Sequence, residues 1–352
     1  MLLSSKPLMV GPLSGVVTGQ LVAFREACNA LGDTCVAVDS SFSSVSKLAS
    51  YPLRLLMGAI RSRGPIYFTS SRSKIGFFSR DLPIFLIAVA TRRPLINHLH
   101  GNDFTRFRNS FGRGLRSLVD ACYQRVAISC APTASLLRQY DRYKAMRLVS
   151  IPNFFSPEIS EMPIIKSLNG PLEVIYLSNL MYSKGFILAI EAVDQLVESG
   201  VSAHLTLCGM PLSDDCMSSA EVEDVLATHR AKPHITIAGP VYGQAKLEAL
   251  SKSHVFVLPT TYQTEASPIS ILEALAAGCQ VIATPQGAIP EMLEGFHADL
   301  QPAESTAFAT SLKRVNERGR SFEFWQENRD RALEKFTLAR YHSNIRKVLN
   351  ND

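Results

Sequence analysis

Short runs of consecutive apolar and β-branched residues recur along this chain, with helical patterns between them, and this alternation constrains the fold more than any other feature. In the second half the runs are VIYLS (174–178), HLTLCG (204–209), HITIAG (234–239), VFVLP (255–259) and QVIAT (280–284). Helical periodicity covers 186–199, 219–229, 244–252, 268–277 and 304–317. Strands that are apolar throughout are buried on both faces, and strands separated by helices pair in parallel. The first half repeats the rhythm with PLMVG (7–11), CVAVD (35–39), PIYFTS (65–70), PLINHLHG (94–101), RVAIS (125–129) and RLVSIPN (147–153). A Pro/Ser/Glu-rich stretch near 152–170 separates the two series. With 352 residues there is room for two such units. The expected class is therefore α/β, with two doubly wound, Rossmann-like domains at 1–165 and 166–325 on either side of a central cleft. The closing segment 326–352 reads as a helix, either a cap on the second domain or a strap crossing back to the first.

Apolar residues at 46% and charged residues at 19% exclude a disordered chain. The formal net charge of +5 hides an asymmetry. Residues 1–165 carry 20 Lys and Arg against 9 Asp and Glu, and the remainder carries 16 against 22, so a +11 half is joined to a −6 half. That split points to an anionic partner for the basic end. The seven cysteines are scattered with no C-x-x-C pair, which fits reduced thiols in a cytosolic protein. The N-terminal MLLSSKPLMVG is too weakly apolar for a signal peptide, and the longest apolar run, 82–90, is half of a membrane span. The expected location is cytoplasmic, with peripheral attachment to the inner face of the cytoplasmic membrane as an extension of it.

Chemistry concentrates in 261–278, TYQTEASPISILEALAAG. Ser267 reads as a helix N-cap, Pro268 as the first helical residue and Gly278 as the stop. The helix follows a strand directly, so its start lies at the carboxyl edge of a parallel sheet, where α/β proteins bind ligands. Its free amides favour an anion such as phosphate. Glu265 precedes the cap, and Glu273, one turn in, leans back toward the N-terminus. Two acids beside an anion site need a neutral ligand with hydroxyl groups, such as a sugar or ribose. The same residues also describe a surface glutamate next to an N-capped core helix, and spacing alone leaves both open.

Glu265 and Glu273 with seven residues between, followed by ALAAG, resemble the E-x7-E signature of glycosyltransferase family 4, retaining enzymes of GT-B fold that use nucleotide-sugar donors. YLSNLMYSKG (176–185), LTLCG (205–209), GPVYG (239–243) and TPQGAIPE (284–291) match further motifs of that family in its order, and GPLSGVVTG (11–19), HLHGND (98–103) and IPNFF (151–155) match more loosely. The resemblance implies a nucleotide-sugar donor, a glycan or lipid-linked acceptor, no metal and no other cofactor, in bacterial cell-surface polysaccharide synthesis of the exopolysaccharide or lipopolysaccharide kind. It places Lys184 on the donor pyrophosphate, Glu273 on the ribose and Glu265 on the transferred sugar. The amides of Ala266, Ser267, Pro268 and Ile269 would line sugar and phosphate. His100 would face the reacting sugar, with His98 behind it, and Gly15 and Gly19 would let bare backbone approach the donor. Where the family carries a phosphate-binding arginine, this chain has Asn179. The same fold also serves sugar-nucleotide epimerases and could serve a non-catalytic binding protein, but the E-x7-E helix favours transfer. Asp214 and Asp215 read as solvated loop.

Two basic amphipathic stretches lie in the first half. In 51–63 Pro52 begins a helix with Leu53, Leu56, Met57 and Ile60 on one face and Arg54, Arg61 and Arg63 around it. In 104–116 Phe104, Phe107, Phe111 and Leu115 sit at helical spacing between Arg106, Arg108, Arg113 and Arg116. Both read as faces for an anionic membrane surface, or as core stripes with a solvated rim. A nucleic-acid partner is not expected, since no nucleic-acid motif is present.

Overall fold

The computed structural model describes residues 6–15, 18–42, 45–318 and 320–350. It divides into two compact units, residues 1–153 with 339–352, and residues 154–338.

The first unit is built on a sheet of six parallel strands: β1 (Leu8–Gly11), β2 (Val36–Asp39), β3 (Ile66–Thr69), β4 (Leu95–His98), β5 (Val126–Ala131) and β6 (Arg147–Ser150), in the order β2-β1-β3-β4-β5-β6. The second has β7 (Leu172–Leu177), β8 (Ala203–Cys208), β9 (Ile235–Gly239), β10 (Val255–Leu258), β11 (Gln280–Ala283) and β12 (Ala298–Leu300), in the order β12-β11-β10-β7-β8-β9. Eleven of these strands fall on the apolar runs. The twelfth, the polar edge strand ADL, has no such run to announce it. In each sheet the chain steps outward and then returns to the other side of its starting strand. The reversals lie between β1 and β3 and between β7 and β10. Loops leaving two strands in opposite directions open a crevice at their carboxyl ends, and each unit has one.

Right-handed crossovers place the helices Val45–Arg61, Leu82–Thr91 and Arg113–Tyr123 on one face of the first sheet and Gly19–Asn29 on the other. The closing segment is two helices rather than one. Phe322–Lys335 belongs to the second unit: Trp325 is buried, and Asn328 donates to the Cys279 carbonyl at 2.8 Å. The helical path ends at Phe336 (φ −125°, ψ 27°), whose carbonyl accepts the Phe155 amide at 3.2 Å. Leu338–Asn350 then packs on Gly19–Asn29 in the first unit. There Tyr341 donates to the Ala23 carbonyl (2.8 Å), His342 meets Glu26 (2.9 Å) and Arg346 donates to the Ala30 carbonyl (2.8 Å). The division between units falls at 153/154 rather than at 165/166. Residues 154–165 are tied to the second unit by the Phe155 bond and by Arg329, which donates to the Ser160 carbonyl at 2.6 Å.

Two helix readings in the first unit are corrected. The helix expected to begin at Pro52 begins at Val45 and runs through the proline, held by the buried Tyr51 and Leu55 on either side of it. The 104–116 stretch is two helices, Phe104–Asn109 and Arg113–Tyr123, with Gly112 as the N-cap of the second. Phe104, Phe107 and Phe111 are all core, where Phe107 and Phe111 pack edge to face at 5.2 Å.

One close backbone approach in the second unit is at Gly185, between β7 and the helix Phe186–Glu198. It has φ +77°, and a Cβ there would stand 2.1 Å from the Pro259 carbonyl oxygen in the loop after β10. Gly185→Ala combines left-handed strain with a backbone clash and should cost roughly 2–4 kcal/mol. Gly200→Ala is the control: φ is +89° and nothing lies within 4 Å, so only the strain of about 1 kcal/mol remains. Denaturant titration of both variants checks the ranking, and equal losses would refute the packing role of Gly185.

Candidate active site

The loops that leave β7 and β10 meet at the reversal of the second sheet, and one carbonyl stitches them together. Ser183 O accepts from the Thr261 amide at 2.7 Å and from the Thr260 and Thr261 hydroxyls at 3.3 Å each. Ser183 N in turn donates to Asp214 at 2.7 Å, and Asp214 also accepts from the amides of Cys216 (2.9 Å) and Met217 (3.1 Å). Burial pushes the Asp214 carboxyl up, but these amides outweigh it and hold it below the ordinary range. Asp214 is therefore a loop brace rather than solvated loop, and an acid in a polar stretch gives no sign of that in sequence.

This framework sets Lys184 against Glu265. Lys184 Nζ donates to Glu265 Oε2 at 2.5 Å and lies 4.6 Å from the centroid of the Tyr262 ring, so the ammonium sits between a carboxylate and an aromatic face. The Thr260 hydroxyl shares its one proton between Ser183 O and this Oε2, each at 3.3 Å. Tyr176, buried in β7, donates to the carbonyls of Asn179 (3.1 Å) and Lys184 (3.3 Å) and fixes the turn carrying both. The Asn179 side chain is exposed and lines a small pocket with Gly209, Pro240, Val241 and Tyr242.

Beyond Glu265 the chain enters the helix Ile269–Ala276. The expected cap moves by one residue: Pro268, extended at φ −61° and ψ 120°, holds the N-cap position, and Ser267 precedes it. Proline has no N–H, so Pro268 contributes no amide here, and the N–H-bearing residues of this run are Ala266, Ser267 and Ile269. The Ala266 carbonyl accepts the Ala288 amide at 2.9 Å. Gly278 stands past the helix end with φ +79° as expected of a stop.

Glu273 has its own lysine. Lys246, from the helix Gly243–Lys252, donates to Glu273 Oε1 at 2.5 Å. Burial raises the Glu273 carboxyl above the ordinary range, against the pull of Lys246. Sequence reading missed Lys246, which lies 27 residues from its partner. Its position on the exposed-looking helix 244–252 gave no signal.

The remaining residues belong to the first unit. His98 ends β4 fully buried, and its Nδ1 is hydrogen-bonded to the Tyr67 hydroxyl. The His100 ring lies against His98 with centroids 4.0 Å apart and planes tilted by 34°, and Nε2 of each is buried without a hydrogen-bond partner. Burial, then Arg72, pushes His100 down to about 3, so both rings are neutral at physiological pH. Gly15 has φ +108° in the loop after β1, and Gly19 opens the helix Gly19–Asn29, capped by Thr18. Residues 16 and 17 of the 11–19 motif lie outside the described residues. The loop is anchored by Asp39, which accepts from the Leu13 amide (2.9 Å), the Ser14 hydroxyl (2.6 Å) and the Ser41 amide (2.9 Å). Among the described residues no three His, Cys, Asp or Glu side chains gather as a metal site.

Lys246→Met leaves Glu273 buried without its cation. The cost should fall short of the ~3–5 kcal/mol of a fully buried pair, because Lys246 is partly exposed. A carboxyl with a raised pKa destabilises the fold as pH rises through that value, and losing Lys246 enlarges the penalty. The variant's deficit should thus be small at about pH 4 and grow toward neutrality, and adding Glu273→Gln should abolish it. Denaturant titrations across this range check it; a pH-independent deficit would contradict the pairing.

The family model described as Glycosyl transferases group 1 matches residues 171–317. Among curated proteins, the chain is 29% identical over 157 residues to the putative colanic acid biosynthesis glycosyltransferase WcaL of Escherichia coli (strain K12), covering 42% of this chain and 36% of that protein. It is 25% identical over 146 residues to the amylovoran biosynthesis glycosyltransferase AmsK of Erwinia amylovora, covering 39% and 34%. The alignments thus span little more than a third of these relatives' length. Among solved structures, Anabaena HepE in complex with UDP superposes with a TM-score of 0.76 at 16% identity, over 99% of this chain and 100% of that one. Sucrose-phosphate synthase from Thermosynechococcus elongatus superposes with a TM-score of 0.69 at 16% identity, over 98% of each. The group 1 family model thus matches most of the second unit, and the two units have the Rossmann-like folds seen in GT-B glycosyltransferases.

Proposed function

We propose that the protein is a retaining, metal-independent glycosyltransferase that moves a sugar from a nucleoside diphosphate to a hydroxyl of a glycan or lipid-linked acceptor. The observation that carries this reading is Lys184, fixed by Glu265 and Tyr262 at the reversal of the second sheet, where the chain after Glu265 enters the helix Ile269–Ala276. A cation and a helix start suit a diphosphate, and the acids beside them suit hydroxyl groups rather than a second anion. Anabaena HepE, with the same fold, has been solved with UDP and with UDP-glucose, which supports a nucleotide-sugar donor. WcaL and AmsK, by their names, support a place in bacterial surface-polysaccharide synthesis. We extend the proposal to a cytoplasmic location, where nucleotide sugars are made.

In this mechanism the bond between the sugar's anomeric carbon and the phosphate oxygen breaks. The acceptor oxygen bonds to that carbon from the same face, and the acceptor's proton passes to the departing phosphate. No strong protein base is then required, and the protein's task is to stabilise charge on the leaving diphosphate. Lys184 does this with the amides of Ala266, Ser267 and Ile269, while Glu265 takes sugar hydroxyls and Glu273 takes those of the ribose. With Asn179 in place of an arginine, Lys184 carries a larger share of that charge. The neutral His100 at the end of β4 offers a polar group that adds no positive charge.

Losing a charge-assisted hydrogen bond costs about 1.5–3 kcal/mol, so Lys184→Ala should slow transfer by roughly ten- to a hundredfold or more. Turnover close to wild type would overturn the assignment. A donor is found first by thermal-shift screening of UDP-, GDP- and ADP-sugars, since a ligand that binds the folded state raises its melting point. With that donor, Glu273→Ala should weaken nucleotide affinity in calorimetry, and unchanged affinity would remove the ribose role. An epimerase of the same fold would instead interconvert the nucleotide sugar without any acceptor.

A further inference from the structure

The outward side of the first unit's helical layer is apolar where a soluble surface should be polar. The helix Val45–Arg61 buries Tyr51, Leu55 and Gly58 against the sheet, yet a second stripe, Leu53, Leu56, Met57 and Ile60, faces solvent at helical spacing. Leu53 and Ile60 are 62% and 72% exposed. The helix Leu82–Thr91 (LPIFLIAVAT) is apolar all round: Ile84, Phe85 and Ala88 are buried, while Leu86 is 62% exposed and Val89 accompanies it. A helix apolar on every side belongs in a core or against lipid. The preceding turn presents Ile75, 81% exposed, with Phe78, and the helix Arg113–Tyr123 presents Leu115 and Leu118. These elements form one packed layer. Tyr51 bonds to the Arg80 carbonyl, Phe78 packs on Phe111 at 6.1 Å, and Phe85 packs on Tyr123 at 5.5 Å.

The charge on the same layer has one sign. Residues 48–125 contain 13 Lys and Arg and three acids. Each acid is already paired with an arginine: Asp81 with Arg80 (3.0 Å), Asp103 with Arg72 (3.7 Å) and Asp120 with Arg108 (2.5 Å). Beside Val89 at the end of the Leu82–Thr91 helix, a cavity of about 410 Å³ is lined by Arg92, Arg93 and Arg125. A second copy of the chain would bring a matching positive charge to this face, so self-association is opposed. An anionic sheet with an apolar interior matches both halves of the pattern.

We infer that this face docks on an anionic phospholipid bilayer, with Ile60, Ile75 and Leu86 entering the interfacial region and the arginines on lipid phosphates. It differs from the surface expected from sequence, because Phe104, Phe107 and Phe111 take no part. The inference goes beyond the transferase reading and stands independently of the donor site. Flotation of the full chain with vesicles of phosphatidylglycerol and phosphatidylcholine tests it. Binding is expected at low salt, at least tenfold weaker on phosphatidylcholine alone and weaker at high salt, where surface charge is screened. Ile60→Glu with Leu86→Glu should lower bound protein at least tenfold, while calorimetry shows nucleotide affinity unchanged. Should that pair disturb folding, Arg61→Glu with Arg113→Glu, a purely charged change at exposed positions, should give the same loss. No flotation on the anionic vesicles, undiminished binding by a folded variant, or a dimer in light scattering that Ile60→Glu with Leu86→Glu dissolves would each overturn it.

Discussion

Lys184 and Glu265 are 81 residues apart in sequence and bonded at 2.5 Å in space, and that contact is possible only because the second sheet reverses direction between β7 and β10. The loop after β7 must press against the loop after β10 for the side chains to meet. Gly185 permits it by letting its backbone approach the Pro259 carbonyl, and Ser183 holds it by taking three donors from Thr260 and Thr261. The ion pair itself is weak support for stability, since desolvating two charges offsets much of their attraction. Its value lies in placement. The pair holds the Lys184 ammonium at the reversal of the sheet, which is the position the proposed donor site requires.

Both acids of the E-x7-E segment are compensated by lysines from different elements, Lys184 from the loop after β7 and Lys246 from the helix Gly243–Lys252. That resolves the difficulty of placing two carboxylates beside an anion site in a unit whose half of the chain is net acidic. Each acid is kept locally near neutral balance, so hydroxyl groups can be bound without driving phosphate away. In the first unit the polarity is handled differently. His98 is buried with the half-buried His100 ring against it, both neutral, and Asp39 anchors the loop after β1 through three hydrogen bonds. Although burial pushes the Asp39 carboxyl up, the Ser14 hydroxyl and the amides of Leu13 and Ser41 hold it down to about 2.

Much of this was legible in the sequence. Consecutive β-branched runs reported eleven strands; eight are largely buried and need no alternation, while the edge strands β2, β6 and β9 are partly exposed yet keep apolar runs. Motif order singled out Lys184, Glu265 and Glu273, of which the structure joins the first two. What sequence could not show were contacts made at long separation: Lys246 on Glu273, Asp214 on Ser183, Tyr67 on His98. Those pairings depend on topology, and no local pattern encodes them. Amphipathic spacing was also ambiguous in a specific way. Phe104, Phe107 and Phe111 have the same periodicity as Leu53, Leu56 and Ile60, yet the first set is core and the second is exposed. Periodicity reports that a helix has an apolar face, not what covers it. The break before Gly112, the N-cap of Arg113–Tyr123, splits the phenylalanine stretch into two helices, which its spacing did not announce.

The account rests on the reversal of the second sheet being the donor site. Hydrogen–deuterium exchange of the full chain, with and without the nucleotide sugar that most raises its melting temperature, measures this directly. Slowed exchange should centre on 178–185 and on the amides of Ala266, Ser267 and Ile269. Protection confined to other segments, with these amides unchanged, would contradict it.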